Sequence, residues 1–110
     1  MTLNEYQALA ARTISADFDG AEKAYHALHG MVSEIGEIHG IYQKMYQGHA
    51  MDVTHIKKEL GDCLWFIAEY CTAFGWELDE IATTNIEKLK ARYPDGFDAQ
   101  KSLHRDADDI

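Results

Sequence analysis

Residues 34–62 read EIGEIHGIYQKMYQGHAMDVTHIKKELGD. This stretch carries a short acidic motif twice, as EIGE over 34–37 and as ELGD over 59–62, on either side of a break centred on Gly48. Apolar residues recur at alternating steps of three and four on both sides of the break, which is typical of amphipathic helices. We therefore predict a helical hairpin at the centre of the fold.

The same periodicity extends outward from the hairpin over most of the chain. We predict an all-α protein of the four-helix bundle type. Its predicted helices cover residues 2–17, 21–46, about 52 to 74, and 77–92. Asp52 or Thr54 is a suitable N-cap for the third helix, Gly75 is its stop, and the only proline, Pro94, closes the fourth. Residues 1–97 are predicted to form one helical domain, and 98–110 a tail too polar to pack without a partner subunit.

Composition restricts the partners of the protein. The 110 residues are 46% hydrophobic and carry a formal net charge of −9, which disfavours a nucleic acid polymer as partner. An acidic protein that binds an anionic nucleotide needs metal cations between its carboxylates and the phosphates. No segment approaches the ~20 apolar residues that span a bilayer, and no basic leader is present. We expect a soluble, cytoplasmic protein with no membrane partner.

The third predicted helix contains an apolar run, CLWFIA over 63–68, that surrounds the helix. Such a helix is normally buried on all sides, so we expect a subunit interface between copies of this chain, with Trp65 or its neighbours at the contact. The two cysteines, Cys63 and Cys71, fall on this helix about 12 Å apart by helical rise, beyond disulfide reach. We predict that both are reduced core residues.

The two acidic motifs have matching geometry. In each, two carboxylates at i and i+3 project from one helix face, and both pairs are equally far from Gly48, so all four can converge in an antiparallel hairpin. Clustered carboxylates repel unless cations neutralise them, and Mg²⁺ prefers carboxylates, waters and phosphates as ligands. Mn²⁺ is the alternative ion. A glycine within each motif suggests close approach of another helix or chain.

Two other interpretations of these acids remain open. They could be ordinary solvated residues on helix surfaces. A di-iron bundle would require Glu-x-x-His motifs, and no glutamate of this chain has a histidine three residues on. The six histidines show no spacing that indicates a metal site.

With the paired motifs, residues 85–97, NIEKLKARYPDGF, complete a pattern that resembles the MazG-like all-α nucleoside triphosphate pyrophosphohydrolases. The resemblance covers about 30–97. It implies magnesium-dependent hydrolysis of a nucleoside triphosphate to a monophosphate and pyrophosphate, in a dimeric or tetrameric helical bundle. The residues it implies as magnesium ligands are Glu34, Glu37, Glu59 and Asp62. Either Glu34 or Glu37 would activate the attacking water.

By the same resemblance, Asn85, Lys88 and Arg92 would face the substrate. Lys88 and Arg92 also stand four residues apart on one helix face, which suits a phosphate chain as well as a solvated basic surface. Phe66, on the flank of the ELGD motif, could stack a nucleobase or simply pack in the core. The alternative function is a non-enzymatic helical assembly or binding protein. A hydrolase or synthetase acting on another polyphosphate-like substrate is a third.

Overall fold

The computed structural model describes residues 1–110, and its regular elements are all helices, which confirms the predicted all-α class. The helices are α1 Leu3–Ala11, α2 Gly20–Tyr46, α3 Val53–Phe74, α4 Leu78–Arg92 and α5 Ala99–Leu103. None of them combines the length and apolar character needed to cross a membrane. The chain divides into two compact units, residues 1–78 and residues 79–110.

Helices α2 and α3 form the predicted hairpin in the first unit. Asp19 caps α2 by accepting a 2.8 Å hydrogen bond from the backbone N–H of Glu22, and Asp52 caps α3 in the same way at 3.0 Å from His55. Asp52 rather than Thr54 is therefore the N-cap. Gly75 ends α3 with a positive φ of 71°, a conformation that glycine adopts without steric cost.

Helix α1 packs against α3 and builds the main core of this unit. Four buried residues form it, with Tyr6, Leu64 and Trp65 packed around them: Ala10, Ala68, Cys71 and Leu78. The indole Nε1 of Trp65 donates a 2.8 Å hydrogen bond to Oγ1 of Thr13. Trp65 thus lies against the segment that follows α1 and is half-buried within one chain. Its place at a subunit contact stays a prediction.

The first helix is shorter than predicted, since it ends at Ala11 and not near residue 17. The hydroxyl of Thr13 donates a 2.8 Å hydrogen bond to the carbonyl of Ala10, and such side-chain bonds compete with helix propagation. Within α1, Gln7 holds the turn after α3. Its Nε2 donates to the carbonyl of Trp76 at 2.8 Å, and its Oε1 accepts the backbone N–H of Leu78 at 2.7 Å.

The second unit contains α4, a turn and the short helix α5. Helix α4 ends at Arg92, two residues before Pro94, and Gly96 follows with a positive φ of 95°. Asp98 caps α5 by accepting from the backbone N–H groups of Gln100 and Lys101. This short helix lies in the tail that the sequence predicted to be too polar to pack. A good N-cap is sufficient for this single helical turn, which buries no residue.

Apolar side chains remain exposed along the outer surface of the hairpin. Val32 is 74% exposed and Ile35 50% on α2, and Leu60 is 54% exposed on α3. Val32, Ile35 and Leu60 are among several apolar side chains of the hairpin that one chain leaves uncovered.

Candidate functional site

Carboxylates from both acidic motifs meet between α2 and α3. Oxygen atoms of Glu34, Glu59 and Asp62 all lie within 4.8 Å of one another, with the two glutamates half-buried and Asp62 exposed. Two oxygens bound to one ion are at most about 4.2 Å apart for Mg²⁺ and about 5.2 Å apart for Ca²⁺, so small side-chain rotations suffice to bring these oxygens onto either ion. The geometry and the all-oxygen donor set of this carboxylate cluster therefore fit a hard divalent cation.

Carboxyl oxygens of Glu34 and Glu59 lie within 4.8 Å of each other. Hydrogen bonding with Glu59 is the main cause that raises the pKa of Glu34 to about 7, and burial and the charges of Glu59, Asp62 and Glu37 raise it further. The same interaction lowers the pKa of Glu59. Without a cation, crowding of negative charge makes one member of the cluster hold a proton near neutral pH.

His55 supports Glu59 from one helical turn away. Its Nε2 lies 2.9 Å from Oε1 of Glu59, and the imidazole further lowers the pKa of that carboxyl group. The backbone of His55 is fixed in turn by the Asp52 cap. Sequence reasoning missed this residue, although its spacing of four from Glu59 on a helix was a usable signal.

Glu37 stands outside the carboxylate cluster. It is exposed on α2, and its charge is the smallest of the causes that raise the pKa of Glu34. The structure thus brings together three of the four acids expected as ligands. The role of Glu37 stays a prediction.

The glycines of the two motifs face open space. A Cβ added at Gly36 or at Gly61 would meet nothing within 4 Å, so no other helix of this chain approaches them. The close approach occurs instead at Gly30, where an added Cβ would overlap the ring of Phe66. Because Gly30 lies one turn before Glu34, the missing side chain lets the Phe66 ring lie directly over α2 beside the acids.

His26 on α2 and Glu69 on α3 form a second polar pair near Phe66. Nδ1 of His26 lies 2.7 Å from Oε1 of Glu69, and Glu69 is only 1% exposed, with its Oε2 lacking a hydrogen-bond partner. The imidazole contacts the aromatic rings of Phe18 and Phe66, at centroid distances of 5.1 and 5.5 Å. Nothing in the sequence around Glu69 predicted that this glutamate is buried or that it pairs with His26, because its neighbours on α3 are mostly apolar.

Both cysteines are free, as predicted. Burial raises the pKa of the Cys63 thiol, and the charges of Glu34, Asp62 and Glu59 raise it further. A thiol held in its protonated form is a poor nucleophile. Cys63 is therefore unsuited to covalent catalysis, despite its place next to Asp62.

The predicted substrate residues on α4 lie in the second unit. Asn85 and Lys88 are exposed on this helix. Arg92 is half-buried and forms a two-pronged ion pair with Asp109, at 2.8 Å from its Nε and 2.7 Å from a terminal nitrogen. Of the two cations, Arg92 is thus already paired within its own unit.

Comparison with known proteins identifies the chain. A model described as the MazG nucleotide pyrophosphohydrolase domain matches residues 23–97, more than half of the sequence. The chain belongs to this family. The resemblance inferred from the two acidic motifs and residues 85–97 is confirmed, and the MazG match covers the carboxylate cluster and all of α4.

One curated relative of this MazG-family chain comes from a virus. The Gene 37 protein of Mycobacterium phage L5 is 27% identical over 101 residues, which cover 84% of this chain and 89% of the phage protein. Its name states no activity. No solved structure matches the chain significantly. Family membership indicates a nucleotide pyrophosphohydrolase.

Proposed function

We propose that this protein hydrolyses a nucleoside triphosphate to a nucleoside monophosphate and pyrophosphate, with Mg²⁺ as its cofactor and Mn²⁺ as a substitute. The observation that carries the proposal is the carboxylate cluster of Glu34, Glu59 and Asp62 in a chain of the MazG family. An acidic chain can accept an anionic substrate only if cations offset the repulsion, and this cluster is suited to hold them.

In this proposal Glu34, Glu59 and Asp62 hold the metal, and Glu37 completes the ligand set or accepts a proton. A bound Mg²⁺ would polarise the phosphate oxygens and lower the pKa of a water molecule. The water oxygen forms a bond to the α-phosphorus while the bond from that phosphorus to the bridging oxygen breaks, and pyrophosphate leaves. The proton of the water passes to a carboxylate of Glu37 or Glu34.

Other side chains position the substrate. Phe66 offers an aromatic ring one turn beyond Asp62, where a nucleobase can stack. Asn85, Lys88 and Arg92 are proposed to bind the sugar and phosphates, since a cation pair four residues apart on a helix suits a phosphate chain. His55 is a positioning residue that orients Glu59 through their 2.9 Å hydrogen bond.

We further propose that the active protein is a homodimer or homotetramer. The support is the apolar surface on the outer side of the hairpin, which includes Val32, Ile35 and Leu60. A second copy of the same hairpin would bury these side chains and remove their exposure to water.

A panel of canonical and modified nucleoside triphosphates tests the proposal. Each is incubated with the purified protein and Mg²⁺, and pyrophosphate and orthophosphate are measured separately. We expect pyrophosphate and a monophosphate with at least one substrate, and no product after addition of a chelator. A non-enzymatic assembly protein would release neither, and orthophosphate without pyrophosphate would indicate cleavage of a different bond.

A further inference from the structure

Residues 104–110 are exposed, with one exception. Asp109 is half-buried because its carboxylate turns back onto α4 and pairs with Arg92. Only 13% of the Arg92 side chain and 21% of the Asp109 side chain are exposed. Asp106 and Asp108 beside it remain exposed, so the contact is specific to one acid of an acidic segment.

The Arg92–Asp109 contact has the geometry of anion recognition by arginine. Two nitrogens of the guanidinium donate to two oxygens of one carboxylate, at 2.8 and 2.7 Å. Arginine binds phosphate oxygens with the same parallel pair of donors. Asp109 therefore occupies the donors that a phosphate group would use.

Further cations surround the Asp109 carboxylate. The hydrogen bond from Arg92 lowers the pKa of Asp109 most, and the charges of Arg105 and Lys88 lower it further. Lys101 and His104 line the same cleft as Arg92 and Asp109. Arg105 and Asp106 line the cleft too, so three cations, Arg92, Lys101 and Arg105, face two carboxylates there. This local excess of positive charge contrasts with the net charge of −9 of the chain.

We propose that Arg92, Lys88 and Arg105 form a binding site for an oligophosphate group, and that Asp109 occupies this site as an internal competitor when no ligand is bound. The inference rests on the proposed function, because the oligophosphate is that of a nucleoside triphosphate or of released pyrophosphate. Ligand binding must break the Arg92–Asp109 pair, so the apparent affinity is reduced by the fraction of molecules in which the pair is closed.

The test compares Asp109, which pairs with Arg92, with Asp108, which carries the same charge and is exposed. Asp109→Asn removes the competitor, and Asp108→Asn makes the same charge change at an exposed neighbour. Inorganic pyrophosphate and, separately, a nucleoside triphosphate are titrated into each protein by calorimetry with a chelator present. We expect Asp109→Asn to bind about 3- to 10-fold more tightly than the wild type, and Asp108→Asn to change affinity by less than about 2-fold.

Adding Arg92→Gln to Asp109→Asn should abolish the gain. Tighter binding of the triphosphate than of pyrophosphate would identify the substrate as the ligand, and equal binding would identify the phosphate chain alone. Equal affinities of the two single variants, or a lower melting temperature of Asp109→Asn without a gain in affinity, would overturn the proposal and leave a structural ion pair. Because no turnover is measured, this result is independent of whether the protein hydrolyses nucleotides.

Discussion

Glu34 on α2 and Glu59 on α3 bring carboxyl oxygens within 4.8 Å of each other, and their interaction raises the pKa of Glu34 to about 7 while it lowers that of Glu59. The two residues belong to the two acidic motifs, 25 positions apart. A raised pKa is the expected effect of crowding several carboxyl groups at one point.

The raised pKa of Glu34 predicts that the metal-free protein loses stability as pH rises. A group whose folded pKa exceeds its unfolded value of 4.5 stabilises the fold below that value, and the contribution disappears as pH passes through about 7. The lowered pKa of Glu59 acts in the opposite sense, and its contribution disappears at low pH. Melting temperatures of metal-free protein between about pH 5 and pH 8 should therefore fall with pH, and less so in Glu34→Gln.

Magnesium should reverse this trend. A cation must displace the proton that Glu34 holds below its raised pKa of about 7, so its stabilising effect should be larger at about pH 8 than at about pH 6. In the metal-free protein, the melting temperature should depend on pH less steeply in Glu34→Gln than in the wild type. Equal slopes of melting temperature against pH would contradict the assignment of the titration to Glu34.

Asp62 allows the proposed metal role to be separated from a structural one. Asp62→Asn should remove pyrophosphate release and weaken magnesium-dependent stabilisation. The melting temperature without magnesium should stay level or rise, because the change removes one of the repelling charges. Activity assays and thermal melts with and without magnesium on one variant measure all of this. Pyrophosphate release by Asp62→Asn at the wild-type rate would refute the catalytic role of Asp62.

The His26–Glu69 pair should be coupled in stability. His26→Ala leaves a buried carboxylate without its hydrogen-bond partner and should cost about 1–3 kcal/mol of unfolding free energy. Glu69→Met in the same chain removes the orphaned group and should recover part of that loss, since apolar replacement of both partners is often nearly neutral. Urea denaturation of the two single variants and the double variant measures the coupling. Strictly additive losses would show that the pair does not interact.

Alanine at two glycines of α2 should have opposite effects. Gly30→Ala overlaps the Phe66 ring and should destabilise the protein by about 1–3 kcal/mol, because the ring is packed against Trp65 and His26. Gly36→Ala meets open space and should stabilise the helix by up to about 1 kcal/mol. Denaturation curves compare the two. A smaller mass of Gly36→Ala by light scattering would instead show that a second chain approaches this glycine.

The exposed face of α2 predicts the site of self-association. Val32→Glu places a charge among apolar side chains of the hairpin and should lower the oligomer mass to that of one chain. Thr84→Glu, on the exposed surface of α4, is the matched control with the same added charge and should leave the mass unchanged. A monomeric wild type in micromolar light scattering would refute the oligomer itself.

Much of this molecule follows from local sequence. The spacing of apolar residues predicts α2 and α3, and Asp52, Gly75 and Pro94 mark where helices begin or end, because caps and helical periodicity depend on neighbours a few positions away. The equal distance of both acidic motifs from Gly48 indicated that they face each other. The family resemblance, confirmed by the match over 23–97, also lies in short contiguous motifs.

Only the tertiary structure decided which side chains meet. Glu34 meets Glu59 and Asp62, the Phe66 ring covers Gly30, and Asp109 pairs with Arg92. The buried Glu69 meets His26 across 43 positions of sequence. Each of these contacts depends on rotamers and on the register of segments far apart in the chain, whereas helical periodicity fixes only the face on which a residue lies.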